Sequence, residues 1–294
     1  MHNEEKIPFI GNEIVQNRFE RLLQSGNLSH AYLFSGPRHV GKSTYAHQLG
    51  RYVLSEDTEK MDEKKIYTVL PRRKTKDSKS PPTIDIESVR EIRRSVSLGS
   101  DTTRGVCIIE DAHRMTHGAQ NALLKYLEEP KTRMLFFLIT DRPGEILSTI
   151  HSRCERIYFS LVGESSMEML SKDSQGGQRE KIELSFGRPG LYKEFERDGE
   201  IMEHKRILSH LFSTFHKRTM QERILFAQKI SSQSEKMSEL FEYWVEWKRE
   251  RCRRGNVDIQ KEYKDITLLE EANKLLYQSN ANTRLLAESL LLSL

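Results

Sequence analysis

The stretch "AYLFSGPRHVGKS", residues 31–43, decides how the rest of the chain is read. A short apolar run leads into a glycine, four unlike residues, and then Gly41-Lys42-Ser43. A strand, loop and helix start of this form wraps backbone around the phosphates of a nucleoside triphosphate. Gly36 and Gly41 permit a tight turn whose amides face inward. Lys42 would reach the β- and γ-phosphates, and Ser43 would offer its hydroxyl to Mg²⁺. Pro37, Arg38, His39, Val40 and Thr44 complete the expected nucleotide-binding set. A helix starting at Lys42 adds the positive end of its dipole. The competing reading is a loop kept only for its shape.

Outward from the loop, short apolar runs alternate with helical patterns over the first 160 residues. "AYLFS" (31–35), "TIDI" (83–86), "VCII" (106–109), "MLFFLI" (134–139) and "RIYF" (156–159) read as strands. They are continuous rather than alternating, as strands buried on both faces of a parallel sheet are. Helices are expected over 13–25, 42–54, 87–97 and 117–129. The fold class is therefore α/β, a parallel sheet between helices. The charged stretch 55–82, ending in two prolines, reads as an exposed insertion. Its basic cluster Arg72, Arg73, Lys74, Lys76 and Lys79 reads first as solvated and second as a phosphate contact. Residues 164–200 suggest small helices around "FGRPG" (186–190). From about 201, apolar residues recur at helical spacing: Ile207, Leu208, Leu211 and Phe212, then Leu240, Phe241, Trp244 and Trp247, then Leu285, Leu286 and Leu290. Three domains are expected: a nucleotide-binding core (1–160), a small helical lid (161–200) and an all-helical block (201–294).

Composition narrows the function classes. The 294 residues carry 47 Lys and Arg against 43 Asp and Glu, a net charge of +4, which permits nucleic-acid contact without predicting it. No apolar run is long enough for a membrane span, and the N-terminus has no apolar signal region, so a cytoplasmic protein is expected. Cys107, Cys154 and Cys252 are too few and too scattered for a disulfide framework or a zinc quartet.

"VCIIEDAHRM" (106–115) is an apolar strand ending in two acids. In phosphate-loop ATPases such a strand delivers one carboxylate to Mg²⁺ and another to the attacking water. The usual order is Asp then Glu; here it is Glu110 then Asp111. Reversal moves each carboxylate by about one methylene, and misplacement of about 1 Å can cost on the order of a hundredfold in rate. Metal binding by Glu110 tolerates this better than water activation by Asp111. The plain alternative is a pair of solvated acids at a strand end.

"HAYLFSGPRHVGKS", "IIEDAHRM", "AQNALLKYLEEP" and "ILSTIHSRCERIYF" occur in the order and spacing of the bacterial clamp-loader AAA+ subunits, and the chain resembles their delta-prime type. The resemblance covers residues 7–160 well and rests on length and helicity beyond the lid. It implies that Ser152-Arg153-Cys154 is the family's SRC motif, whose arginine reaches a neighbouring subunit's nucleotide and acts catalytically in trans; an ordinary surface arginine is the competing reading. It implies a sensor position at Thr140 and an adenine-pocket segment at "IPFIGNE" (7–13). The nucleotide would be ATP or ADP with Mg²⁺ held by Ser43 and Glu110. Partners would be gamma/tau and delta subunits, a sliding clamp and primer–template DNA read without sequence preference, with Arg114 and Lys125 as weak DNA-contact candidates. "KRERCRRG" (248–255) is more basic, but cations before a glycine suit a helix C-terminus.

The chain departs from that family's pattern at three places. The acid order is reversed. At "FGRPG" the hydrolysing members carry a nucleotide-sensing arginine where this chain has Gly190, with Arg188 two positions away. Many members carry a four-cysteine zinc module where 55–82 lies without cysteine, so no zinc is expected. The expectation is a scaffolding subunit that holds nucleotide, hydrolyses it feebly if at all, and lends Arg153 to a neighbour. The alternatives are a gamma/tau-type motor that turns over its own ATP and, more distantly, a small-molecule kinase.

Overall fold

The computed structural model describes residues 9–55, 65–73, 81–97, 105–128, 134–170, 177–232, 234–255, 257–278 and 282–294. Two compact units emerge, one of Met1–Ser174 with Gly187–Leu191 and the other of Gln175–Phe186 with Tyr192–Leu294.

The first unit begins with helix α1 (Glu13–Ser25), strand β1 (Ala31–Ser35) and helix α2 (Lys42–Ser55), followed by β2 (Lys65–Val69), α3 (Ile86–Ser97) and β3 (Gly105–Ile109). Next come α4 (His117–Glu128), β4 (Met134–Thr140), the single turn α5 (Ser148–His151), β5 (Glu155–Tyr158) and α6 (Glu164–Glu168). The five strands form one parallel sheet in the order β2-β3-β4-β1-β5. Every residue of β3 and β4 is buried, which is why these strands are apolar without alternation. Successive side chains still go to opposite faces. Leu33, Cys107, Ile109, Phe136 and Leu138 pack with Leu123 and Leu127 of α4 on one face. Tyr32, Phe34, Ile108, Phe137 and Ile139 pack with Phe19 of α1 and Leu49 of α2 on the other.

One strand differs from expectation. The edge strand is "KIYTV" (65–69), inside the stretch read as an exposed insertion, and not "TIDI". An edge strand has one sheet neighbour and is only partly covered: Val69 is buried, Ile66 half-buried and Thr68 exposed, so it lacks a continuous apolar run. Thr83 and Ile84 make only isolated bridges, to Arg72 and Met115, and Asp85 then accepts from the Ser88 N–H as α3 begins. Lys74, Lys76 and Lys79 lie outside the described residues; Arg72 is an exposed partner of Glu91.

The second unit is helical: α7 (Gln178–Ser185), then α8 (Pro189–Arg197), whose first turn belongs to the first unit, and α9 (Gly199–Thr214). It continues with α10 (Met220–Ser231), α11 (Ser234–Arg254), α12 (Ile259–Gln278) and α13 (Thr283–Ser293). Phe212 stacks on Trp244 with ring centroids 4.5 Å apart, and Phe241, Leu269 and Leu291 fill the same core. Ile207 and Leu285, read from spacing as core, are 57% and 63% exposed. The inward face is marked by the buried Leu208 on α9 and by the buried Leu290 and half-buried Leu286 on α13, so the stripe is narrower than its spacing suggests.

The basic run 248–255 is absorbed by this unit. Buried Lys248 donates to Glu262 and Asp265 of α12 at 2.8 and 2.7 Å, and Arg251 reaches Glu262 at 3.0 Å. Arg253 and Arg254 pair with Glu250 one turn back, and Gly255 closes the helix with a left-handed φ of 86°. Capping and inter-helix ion pairing account for these cations.

Candidate nucleotide site

The phosphate loop leaves β1 and enters α2 with three left-handed residues, Gly36, His39 and Gly41. At Gly36 a Cβ would lie 2.1 Å from the Phe159 carbonyl oxygen, so only glycine lets the loop lie against the end of β5. Val40 anchors the loop in the core, Pro37 and Arg38 are half-buried, and His39 and Thr44 are exposed. Phe9, from the expected adenine-pocket segment, packs on Tyr45 with centroids 4.9 Å apart. Asn12 Oδ1 accepts from the Ser160 N–H at 2.7 Å. Residues 7 and 8 of that segment lie outside the described residues.

Lys42 is 6% exposed, and its Nζ donates to the Gly36 and Pro37 carbonyl oxygens at 2.7 and 2.5 Å. Burial pushes this ammonium down to about 8, with nearby Asp141 opposing the fall. The Ser43 hydroxyl donates to Glu110 Oε1, which joins the two residues expected to share a metal. Burial raises the Glu110 carboxyl above the ordinary carboxylate range, against the Ser43 hydrogen bond. His47 Nε2 is 3.9 Å from the same oxygen.

Asp111 has its contact on another side chain, Arg114. It adopts a left-handed φ of 45°, and its Oδ2 lies 3.5 Å from Arg114 Nε. Arg114, a candidate DNA contact, is thus half-buried beside Asp111, with Nη1 also 3.5 Å from the Pro82 carbonyl oxygen. Lys125 is exposed on α4.

Thr140 is 1% exposed; its Oγ1 accepts from the Arg142 N–H at 3.0 Å and lies 3.1 Å from His113 Nδ1. His113 Nδ1 is also 3.3 Å from Asp141 Oδ1, and Asp141 Oδ2 accepts from Arg38 Nε at 2.8 Å. Burial works to raise the Asp141 carboxyl, but Arg38, His113 and Arg142 outweigh it and hold it below the usual range. Burial likewise lowers His113, favouring the neutral ring. A continuous polar chain therefore runs from the loop (Arg38) through Asp141 and His113 to Thr140. Donor atoms of Asp111, His113 and Asp141 lie within 4.8 Å of one another. Neither His113 nor Asp141 was singled out in the sequence, because Arg38 and Asp141 meet across 103 residues.

The start of α8 rests on the loop. The Gly190 N–H donates to the His39 carbonyl oxygen at 2.8 Å, and a Cβ at Gly190 would lie 2.9 Å from that oxygen. Arg188, its possible substitute, is 5% exposed. Arg153 makes its contacts elsewhere: Nη1 donates to the Thr149 carbonyl oxygen at 3.0 Å, and Nη2 lies 2.7 Å from Glu128 Oε1. Burial pushes the Cys107 and Cys154 thiols up to about 12, so both act as small apolar groups. Among the described residues no helix is long and apolar enough to cross a membrane.

This arrangement can be set beside known proteins. The chain is 33% identical over 203 residues to the DNA polymerase III subunit tau of Bacillus subtilis, covering 60% of this chain and 36% of that protein. It is 29% identical over 198 residues to the DNA polymerase III subunit delta' of Escherichia coli, covering 58% and 57%. The subunit delta' of Bacillus subtilis is 26% identical over 212 residues, with 67% and 62% covered. The chain thus spans about a third to three fifths of the length of these relatives. In fold, it superposes on a Thermotoga maritima RuvB structure with a TM-score of 0.50 at 13% identity, covering 70% of this chain and 76% of that one. The family described as "DNA polymerase III, delta subunit" matches residues 11–162, just over half of the chain and all of its sheet, and the chain belongs to that family.

Proposed function

We propose that this chain is a delta-prime-type subunit of the DNA polymerase III clamp loader. It joins gamma/tau and delta subunits in a ring that places a sliding clamp on primer–template DNA. Its loop holds ATP or ADP, and Arg153 serves a neighbouring subunit's ATP. The observation that carries this reading is Gly190 seated on the His39 carbonyl. The hydrolysing members of the family that the chain resembles carry an arginine at that position, and here its Cβ would press within 2.9 Å of the His39 carbonyl oxygen.

The home pocket is suited to holding. The start of α2 and the Lys42 ammonium beside it favour a polyphosphate. The Ser43 hydroxyl and Glu110 carboxylate meet at one point and form the kind of oxygen pair that would hold Mg²⁺, which would supply positive charge against the phosphates. Asp111 is engaged with Arg114, which competes with any use of its carboxylate to orient an attacking water. In trans, the Arg153 guanidinium would neutralise charge developing on a transferred γ-phosphoryl group, an effect worth about 10³–10⁵ in rate.

The complete loop and the tau relative at 33% identity favour a second reading, a gamma/tau-type motor. One experiment separates the two. Nucleotide binding and ATP turnover are measured for the isolated chain, for its tau-type partner, and for the mixture with clamp and primed DNA. The proposal expects binding without appreciable turnover in the isolated chain, and a mixture that depends on Arg153 more than on Lys42. Rapid turnover by the isolated chain, lost in Lys42→Ala, establishes the motor instead.

A further inference from the structure

Glu128, the last residue of α4, faces the guanidinium that the proposed function depends on. Its Oε1 lies 2.7 Å from Arg153 Nη2, while Arg153 Nη1 donates to the Thr149 carbonyl oxygen at 3.0 Å and to Ser152 Oγ at 3.3 Å. Two of these three acceptors lie within four residues of Arg153 and move with it. Among the described residues, Glu128 alone ties the guanidinium to another element, the helix that packs under the sheet through Leu123 and Leu127. The placement of Glu128 needs a reason. A carboxylate in the last turn of a helix faces the negative end of the dipole, where a cation is preferred. A guanidinium at that point relieves both the carboxylate and the helix end. The pair is also open to a partner, with side-chain exposures of 34% for Arg153 and 47% for Glu128.

We propose that Glu128 is a positioning residue for Arg153. It fixes the direction of the guanidinium through Nη2 before any neighbour arrives, and the remaining N–H groups of the fork stay available to an anionic phosphoryl group. An arginine has several rotatable bonds, and a group already held in its working direction loses less freedom when it engages. The inference rests on the reading of Arg153 as a group acting in trans.

The test uses the full chain mixed with its tau-type partner, sliding clamp, primed DNA and ATP. Arg153→Ala, Glu128→Ala, Glu128→Gln and the double variant Glu128→Ala/Arg153→Ala are compared with the unaltered chain. Thermal melting and ring assembly of each variant are followed alongside. Glu128→Ala is expected to lower kcat about tenfold with KM for ATP unchanged, since alignment is lost rather than binding. Glu128→Gln keeps an acceptor and is expected to recover most of that loss. In the double variant Glu128→Ala adds nothing to Arg153→Ala. A Glu128→Ala mixture that runs at the normal rate or faster, while Arg153→Ala is impaired, overturns the positioning role and leaves the trans-acting arginine standing. A normal rate with Arg153→Ala overturns both.

Discussion

At the phosphate loop Lys42 is 6% exposed and its ammonium is taken up by two loop carbonyls, whereas about a third of the Arg153 side chain is exposed and one carboxylate crosses to it from another helix. The loop also accepts the Gly190 N–H of the same unit and is knotted through Arg38, Asp141 and His113 to Thr140. The two regions carry the same sign of charge in opposite settings. Burial and dense hydrogen bonding fix one cation where it can grip a ligand of its own chain. Exposure and a short set of contacts leave the other aimed but still able to meet a group from outside. An exposed ion pair is worth only about 0.2–1 kcal/mol, and it engages Arg153 through Nη2 alone, so it steers the guanidinium while the rest of the fork stays open to an incoming phosphate.

The sharpest way to break this contrast is at position 153. Arg153→Ala should lower turnover of the assembled complex by about 10³-fold or more, and Arg153→Lys should recover little of it, since a point charge does not replace a planar fork. Nucleotide affinity of the isolated chain should be unchanged by either. Lys42→Ala should do the reverse, weakening the isolated chain's affinity for ATP while the mixture loses little turnover. Equilibrium binding and steady-state rates on the same samples decide the matter; equal effects from the two substitutions would erase the distinction.

Position 190 probes the same contrast from the first turn of α8. If the home pocket were idle only for want of an arginine, Gly190→Arg would start hydrolysis. The geometry predicts otherwise, because the new Cβ would press within 2.9 Å of a backbone oxygen that has no rotamer to yield. Overpacking of this kind costs about 1–3 kcal/mol. The variant should melt earlier, bind ATP about tenfold less tightly and gain no turnover. Measurable hydrolysis by the isolated Gly190→Arg chain would show that the pocket is one residue short of a motor.

The sheet and the course of the loop from β1 into α2 were largely legible from residues alone. "VCII" and "MLFFLI" advertise themselves because both faces are buried, and the glycine and lysine spacing of the loop is a local signal. "KIYTV" was hidden because an edge strand is half-covered and sits among charged residues. Within the site, Ser43 and Glu110 were foreseen together because each stands in a motif with a known role. Asp141, His113 and Glu128 were not, because their importance lies in what they touch. Arg38 and Asp141 are 103 residues apart, and nothing near either one points to the other. Gly190 was noticed as a missing arginine, but why it must be glycine became visible only with the His39 carbonyl beside it.

At physiological pH the smallest expected effect is that of pH itself, and it separates the two cations most cleanly. Burial holds Lys42 at about 8 against an ordinary value of 10.5, so the free site loses its ammonium within an accessible range. A bound phosphate stabilises the charged form, and binding above pH 8 must therefore take up a proton. Affinity of the isolated chain for ATP should be flat below about pH 8 in this respect and fall by up to tenfold per unit above it. Fold stability should run the other way. Between 8 and 10.5 the unfolded chain holds the Lys42 proton that the folded chain has released, so this group adds stability as pH rises. Opposed trends in affinity and stability, both abolished by Lys42→Met and both untouched by Arg153→Ala, are the expected signature. Parallel trends, or a loss of affinity above pH 8 that survives Lys42→Met, would place the titrating group elsewhere in the loop.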